Sequence, residues 1–110
     1  MKILAIETSC DETALALVEA SGRLKAPKFK VLKNIISSQI EIHRPFGGVV
    51  PNLAKREHLK NLPILFRKMF GGSTSKSYRN VTRSNLPKID VVAVTVGPGL
   101  EPALWTGINF

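Results

Sequence analysis

Seven residues, Glu7-Thr8-Ser9-Cys10-Asp11-Glu12-Thr13, gather three carboxylates, three hydroxyls and the only thiol of the chain between two short apolar runs. A polar turn of this kind offers backbone N–H groups and the Ser9 hydroxyl to an anion, as phosphate-binding nests do. Asp11 and Glu12 add carboxylates that can accept a proton from an attacking amine or position a metal-bound water. Three acids within six residues of an otherwise basic chain set this segment apart from an ordinary polar hairpin loop. A second candidate is Gly97-Pro98-Gly99-Leu100. Glycines at a strand–helix junction let backbone approach a phosphate, and the helix N-terminus adds a favourable dipole. No Gly-Lys-Ser/Thr follows, so this is not a Walker loop. Its place at the carboxyl end of a buried strand is where ligands of α/β sheets bind.

The other chemistry-bearing residues read as structural. His58, inside a helical pattern, is expected to be a partly exposed packing histidine rather than a catalytic base. His43, Arg44 and Gly47-Gly48 read as a turn before that helix. Cys10 has no histidine near it in sequence and reads as a small buried thiol rather than a nucleophile. Trp105 and Met69 are assigned to packing. One cysteine excludes an intrachain disulfide and a cysteine-built zinc site. His43 and His58 stand fifteen positions apart, which is not a metal-ligand spacing.

The elements that must hold these loops follow from periodicity. Ile3–Ile6 and Ala14–Val18 read as short strands, Ser21-Gly22 as a turn, and 25–28 around Pro27 as a loop. Residues 29–36 form a third strand, giving an antiparallel meander. Pro51 suits the first turn of a helix. Leu59, Leu62, Leu65 or Phe66, and Met69 continue that helix as a stripe at three-to-four spacing. Pro63 is expected to kink or split it, and Gly71-Gly72 to end it. Residues 71–88 are polar and basic and read as a mobile surface loop. Ile89–Val96 is almost wholly apolar and β-branched, the pattern of a strand buried on both faces in a parallel sheet. A further helix starts near Ala103.

Of 110 residues, 16 are Lys or Arg and 8 are Asp or Glu, a net charge of +8. The charge is segregated. Residues 1–20 carry one base and four acids, residues 21–88 fifteen bases and two acids, and residues 89–110 two acids alone. A basic middle between acidic ends is the footprint of a polyanion partner, or equally of a solvated surface that favours solubility. At 44% hydrophobic residues the chain has the material for a modest core and is not generically disordered. The apolar run at the N-terminus is far shorter than the roughly 7–15 residues of an export signal. Nothing approaches the roughly 20 apolar residues of a membrane span. A cytoplasmic protein with no membrane partner is expected.

Three strings together, ETSCDETA at 7–14, GGVVPNLAKREHL at 47–59 and VGPGLEPALWTGINF at 96–110, closely resemble the tRNA N6-adenosine threonylcarbamoyltransferase family, once filed as glycoprotease-like (Gcp) peptidases. The resemblance covers the chain except 71–88. It implies an α/β fold of the actin-like ATPase, sugar kinase and Hsp70 superfold, of which 1–110 would be an incomplete N-terminal domain ordered β-β-β-α-β-α. It implies transfer of a threonylcarbamoyl group from threonylcarbamoyl-adenylate to the N6 amine of the adenosine beside the tRNA anticodon.

By the same resemblance the loop holding Ser9, Cys10, Asp11 and Glu12 matches the family's first phosphate-facing loop, with Asp11 and Glu12 as its catalytic residues. Ser9, Cys10, Gly97 and Gly99 line the cleft for the adenylate or an ATP-type ligand. Arg56 and His58 match the family's Arg-x-His helix positions. Asn52 and Glu101-Pro102-Ala103 depart from the usual pattern. One divalent metal, iron or zinc, is implied for the full-length protein only, with no ligand in 1–110. The implied partners are tRNA, an inactive paralogue and a small ATPase subunit, and the piece alone is expected to be inactive. The alternatives are a non-catalytic paralogue that acts as a binding partner and a phosphotransferase of the same superfold. No Ser/His/Asp arrangement or HExxH pattern supports the old peptidase label.

Overall fold

The computed structural model describes residues 1–71, 81 and 86–110. The expected loop at 71–88 thus lies mostly outside the described residues. Three strands come first: β1 (Lys2–Glu7), β2 (Glu12–Arg23) and β3 (Ala26–Ser38). A single helical turn, α1 (Ile40–His43), and a 3-10 turn at Arg44–Phe46 lead into α2 (Pro51–Phe70). The chain continues through β4 (Val91–Val94) to α3 (Glu101–Ile108). The four strands form one mixed sheet in the order β3-β2-β1-β4. The meander is antiparallel, and β4 joins β1 in parallel with Ile3 opposite Val91 and Ile6 opposite Val94.

Alternation along the strands decides which side chains meet the helices. Leu4, Ile6 and Leu15 face α2 and close a core with its Leu62, Leu65 and Met69. α2 packs on β2 and β3 and is flanked by α3, so the helices lie on one side of the sheet. Lys33, on the same face of β3, donates from Nζ to the carbonyls of Lys68 and Met69 at 2.9 and 2.8 Å. A cation there satisfies carbonyls left over by the last turn of α2 and complements the helix dipole. Pro51 opens α2 as expected, and Gly71 closes it with its N–H on the Arg67 carbonyl at 2.6 Å.

Several sequence expectations are corrected. The Ser21-Gly22 turn and the 25–28 loop are instead a continuous ribbon, with Gly22 opposite Pro27 and a two-residue turn at Leu24-Lys25. β3 is an edge strand, where a proline costs no ladder bond. Gly22 sits at φ +90°, and a Cβ there would come within 2.5 Å of the Ala26 carbonyl oxygen, so the tight end of the hairpin requires glycine.

Pro63 does not split α2, which runs unbroken. Buried contacts on both sides of it, Ala54 and His58 before and Leu62, Leu65 and Met69 around and after, hold the helix together. The buried stripe is shifted from the expected one: Leu59 is exposed, and His58 occupies the inward position. β4 is shorter than expected and is not buried on both faces; Val91 and Val92 are exposed at the free edge. Trp105 is 53% exposed rather than packed.

Candidate functional site

The two glycine- and acid-bearing loops meet at the carboxyl ends of the parallel pair β1 and β4. β1 ends at Glu7, and the bend Thr8–Asp11 follows before β2 starts at Glu12. On the other side, β4 ends at Val94 and Gly97–Leu100 leads into α3. The Leu100 N–H donates to the Ser9 carbonyl at 2.7 Å. A Cβ on Gly99 would stand 2.7 Å from that carbonyl oxygen and 2.8 Å from the Ser9 Cβ, so this approach admits only glycine. Thr8, fully buried, donates its hydroxyl to the Ala103 carbonyl in the first turn of α3 at 2.8 Å. Gly107 one turn later leaves room for it, since a Cβ there would lie 2.6 Å from Thr8 Oγ1.

Glu7 is committed to the scaffold. Its carboxylate accepts from the Ser9 N–H at 2.6 Å and from the Thr95 hydroxyl, which ties the end of β1 to the end of β4. Burial works to raise its pKa, but the Ser9 and Thr95 hydrogen bonds outweigh it, and the carboxyl sits below its ordinary value.

Beneath the loop lies a buried polar floor. His58 and Gln39 are fully buried and His43 nearly so. His58 Nε2 lies 2.9 Å from the Cys10 carbonyl, which can only accept, so Nε2 carries the proton. His58 Nδ1 then accepts from the Thr13 hydroxyl at 2.7 Å and from Gln39 Nε2 at 3.3 Å. Gln39 Oε1 accepts from His43 Nε2 at 2.9 Å, and His43 Nδ1 accepts from the Val50 N–H at 3.2 Å. Each ring is thus a neutral tautomer with both nitrogens engaged. Burial is the main cause that lowers the His58 pKa, partly offset by the Cys10 carbonyl and the nearby Glu7 and Asp11 charges. No buried side-chain nitrogen or oxygen lacks a partner among the described residues. The expectation of a partly exposed His58 is therefore corrected: it is the centre of the floor.

Asp11 lines a cavity of about 340 Å³ together with Ile40, His43, Arg44 and the turn Gly47–Val49. Glu12, one residue on, is exposed and opens β2 opposite Ser38. Consecutive residues entering a strand turn to opposite faces, so the two carboxylates do not converge. Cys10 is half-buried rather than buried. Burial, joined by the Asp11 charge, pushes its thiol up, the reverse of an activated nucleophile. Arg56 is exposed on α2.

The structure thus brings Ser9 and Gly99 into contact, sets Cys10 and Asp11 beside them, and leaves Glu12 at the rim. Sequence reading did not single out Thr8, Thr13 or Gln39 as site-building residues. The one available signal was that polar residues flank the apolar strands at these points.

The family model for tRNA N6-adenosine threonylcarbamoyltransferase matches residues 30–110. The chain belongs to that family. A threonylcarbamoyltransferase of Fervidobacterium nodosum is 48% identical over all 110 residues, which cover 28% of that protein. Relatives of the same description from Thermosipho africanus and Dichelobacter nodosus are each 44% identical over the whole chain. The chain spans about 28% of the length of the relatives it matches. Membership fixes the fold class as α/β, here a partial N-terminal domain of the actin-like ATPase superfold in the expected strand and helix order.

The threonylcarbamoyltransferase family's implied metal finds no fit in these residues. Both histidines have their ring nitrogens committed to protein partners, and no three metal-ligating side chains cluster among the described residues. No helix among the described residues is long and apolar enough to cross a membrane.

Proposed function

We propose that this chain forms the adenylate-facing part of a tRNA-modifying transferase. It would move threonylcarbamoyl from threonylcarbamoyl-adenylate to the N6 amine of the adenosine beside the anticodon. The observation that carries the reading is the contact of Thr8–Asp11 with Gly97–Leu100 at the carboxyl ends of β1 and β4. Two loops that meet at that end of a parallel pair stand where ligands of α/β sheets bind, which supports a phosphate beside them.

In this reading Ser9, Cys10, Gly97 and Gly99 hold the phosphate of the adenylate. The N6 lone pair attacks the carbamoyl carbon, the bond from that carbon to the phosphate oxygen breaks, and AMP leaves with the electron pair. Asp11, beside the anchored loop, accepts the N6 proton. Glu12, exposed at the rim, holds the incoming nucleoside rather than the reacting carbon.

The basic residues of 21–88 supply the electrostatic attraction for tRNA. The expected setting is cytoplasmic, with an inactive paralogue and a small ATPase as partner subunits, and with a divalent metal held by residues outside this segment.

The test is transfer of labelled threonylcarbamoyl to tRNA by the full-length protein. Asp11→Asn is expected to lower kcat by about 10²–10⁴, the usual worth of a positioned base. Transfer by Asp11→Asn at the unmodified rate would refute the assignment of the proton to Asp11. The 110-residue piece alone is expected to transfer nothing.

A further inference from the structure

Two successive carbonyls of the Thr8–Asp11 bend are held from outside it, Ser9 by the Leu100 N–H at 2.7 Å and Cys10 by His58 Nε2 at 2.9 Å. Both peptides that follow are trans, since the only cis bond described is Gly97-Pro98. In a trans peptide the carbonyl and the next residue's N–H point in opposite directions. Pinning the Ser9 and Cys10 oxygens therefore aims the N–H groups of Cys10 and Asp11 away from Leu100 and from α2. Neither N–H donates to a backbone carbonyl among the described residues. The Asp11 N–H lies against the Cys10 sulfur, a weak acceptor that an anion displaces, and successive N–H groups of a turn form an anion-binding concavity.

We infer that His58 is a positioning residue for the proposed transfer: it fixes the Cys10–Asp11 peptide plane so that the Asp11 N–H faces the phosphate of the bound adenylate. This rests on the functional reading above. The part His58 plays is that of a neutral donor of fixed direction. Its orientation is set in turn by Thr13 and Gln39 at Nδ1, and Gln39 is held by His43, itself fixed by the Val50 N–H. The floor thereby links the Gly47–Val50 turn, which opens α2, to the loop that meets the anion.

The experiment compares His58→Leu and His58→Gln in the full-length protein with AMP as the probe. Glutamine keeps a donor within reach of the Cys10 carbonyl and an acceptor for Thr13, whereas leucine fills the space with neither. Binding is followed by the amide shifts of Cys10 and Asp11 and by the Kd for AMP, and turnover by kcat and the KM for tRNA. His58→Leu is expected to weaken AMP binding and lower kcat by about tenfold each, the worth of one hydrogen bond to an anion, while the KM for tRNA stays within about twofold. His58→Gln is expected to restore most of both.

A leucine variant that binds AMP like the unmodified protein, or a glutamine variant as impaired as leucine, overturns the inference. So does a leucine variant whose KM for tRNA worsens as much as its Kd for AMP. If His58→Leu fails to fold, the nitrogen shifts of the His58 ring in the unmodified protein decide. A proton on Nδ1 in place of Nε2 overturns the assignment, and a proton on Nε2 supports it. Unmodified protein whose Cys10 and Asp11 amides respond to AMP but which transfers nothing refutes the functional reading alone. Unmodified protein that transfers without any response at those amides refutes this inference alone.

Discussion

His58, Gln39 and Thr13 are polar and fully buried, whereas Val91 and Val92, in a wholly apolar strand, are 40% and 59% exposed. The loop floor and the β4 edge of one sheet thus invert the usual distribution. Side-chain type does not decide burial in either place. The floor is buried because α2 lies across the end of β2 and because each polar atom there has a partner, which removes the cost of desolvation. β4 is exposed because its Val91 and Val92 side chains, which project from the faces of the sheet, lack a covering layer among the described residues. The difference teaches that this fragment of fold is organised around its loop end, where the hydrogen-bonding requirements are met within 110 residues.

The comparison can be broken first at the apolar core that both regions share. Leu62 is buried between α2 and the strand residues Leu4, Ile6 and Leu15. Leu62→Ala should lower unfolding free energy by about 2–5 kcal/mol, read as the urea midpoint at constant slope. A loss under 1 kcal/mol would mean, by the same scale, that the helix layer contributes little to holding the sheet.

The floor is the next target. Thr13→Val removes the hydroxyl that His58 Nδ1 accepts at 2.7 Å and leaves only the longer bond from Gln39. The expected cost is about 1–3 kcal/mol in the same urea measurement, since a buried acceptor is left poorly satisfied. A neutral result would show that water enters the floor and that it is not a closed network.

How much of this was legible in the sequence differs between the same two regions. The three strands of the meander, the start of α2 at Pro51 and the glycine loop after β4 follow from period, proline placement and glycine punctuation, which are local signals. Asp11, Ser9, Gly97 and Gly99 stood out because their types are unusual between apolar runs, whereas Cys10 read as a buried thiol and joined them only through the family resemblance. The floor was not legible, because Gln39 and Thr13 acquire meaning only when α2 brings His58 to them across nineteen and forty-five positions. The exposure of β4 was hidden for the opposite reason: a β-branched run reports what a strand can bury, and the neighbours decide whether it does. Pro27 and Pro63 misled because edge position and tertiary packing override the local rule for proline.

Acid should act on the floor before it acts on the loop. His58 has a native pKa below its ordinary 6.5, so the unfolded chain binds the proton more readily than the folded one. Its stabilising effect is then complete above about pH 6.5 and is lost as pH falls from there through the native value. Glu7, also depressed, contributes stability above its ordinary 4.5 that is lost as pH falls further. Tm should therefore decline in two windows. His58→Gln should remove the upper one and leave the lower. A single decline below pH 4.5 in the unmodified chain would contradict a buried neutral His58.

The smallest effect is the sharpest probe of the contrast. Val92 projects from the edge strand with more than half its surface exposed, so Val92→Thr keeps the β-branched shape and removes little burial. The expected change is within about 0.5 kcal/mol of zero, as at surface sites generally. The same substitution against a covering layer would strand a hydroxyl in an apolar contact and cost about 1–3 kcal/mol. Measured on the 110-residue chain and on the full-length protein, the pair of values tells whether the apolar strand acquires an inside. Near-zero in both would mean the inversion persists in the whole molecule. Near-zero in the short chain and a clear cost in the long one would mean that β4 is covered by chain beyond this segment, while the polar floor was complete without it.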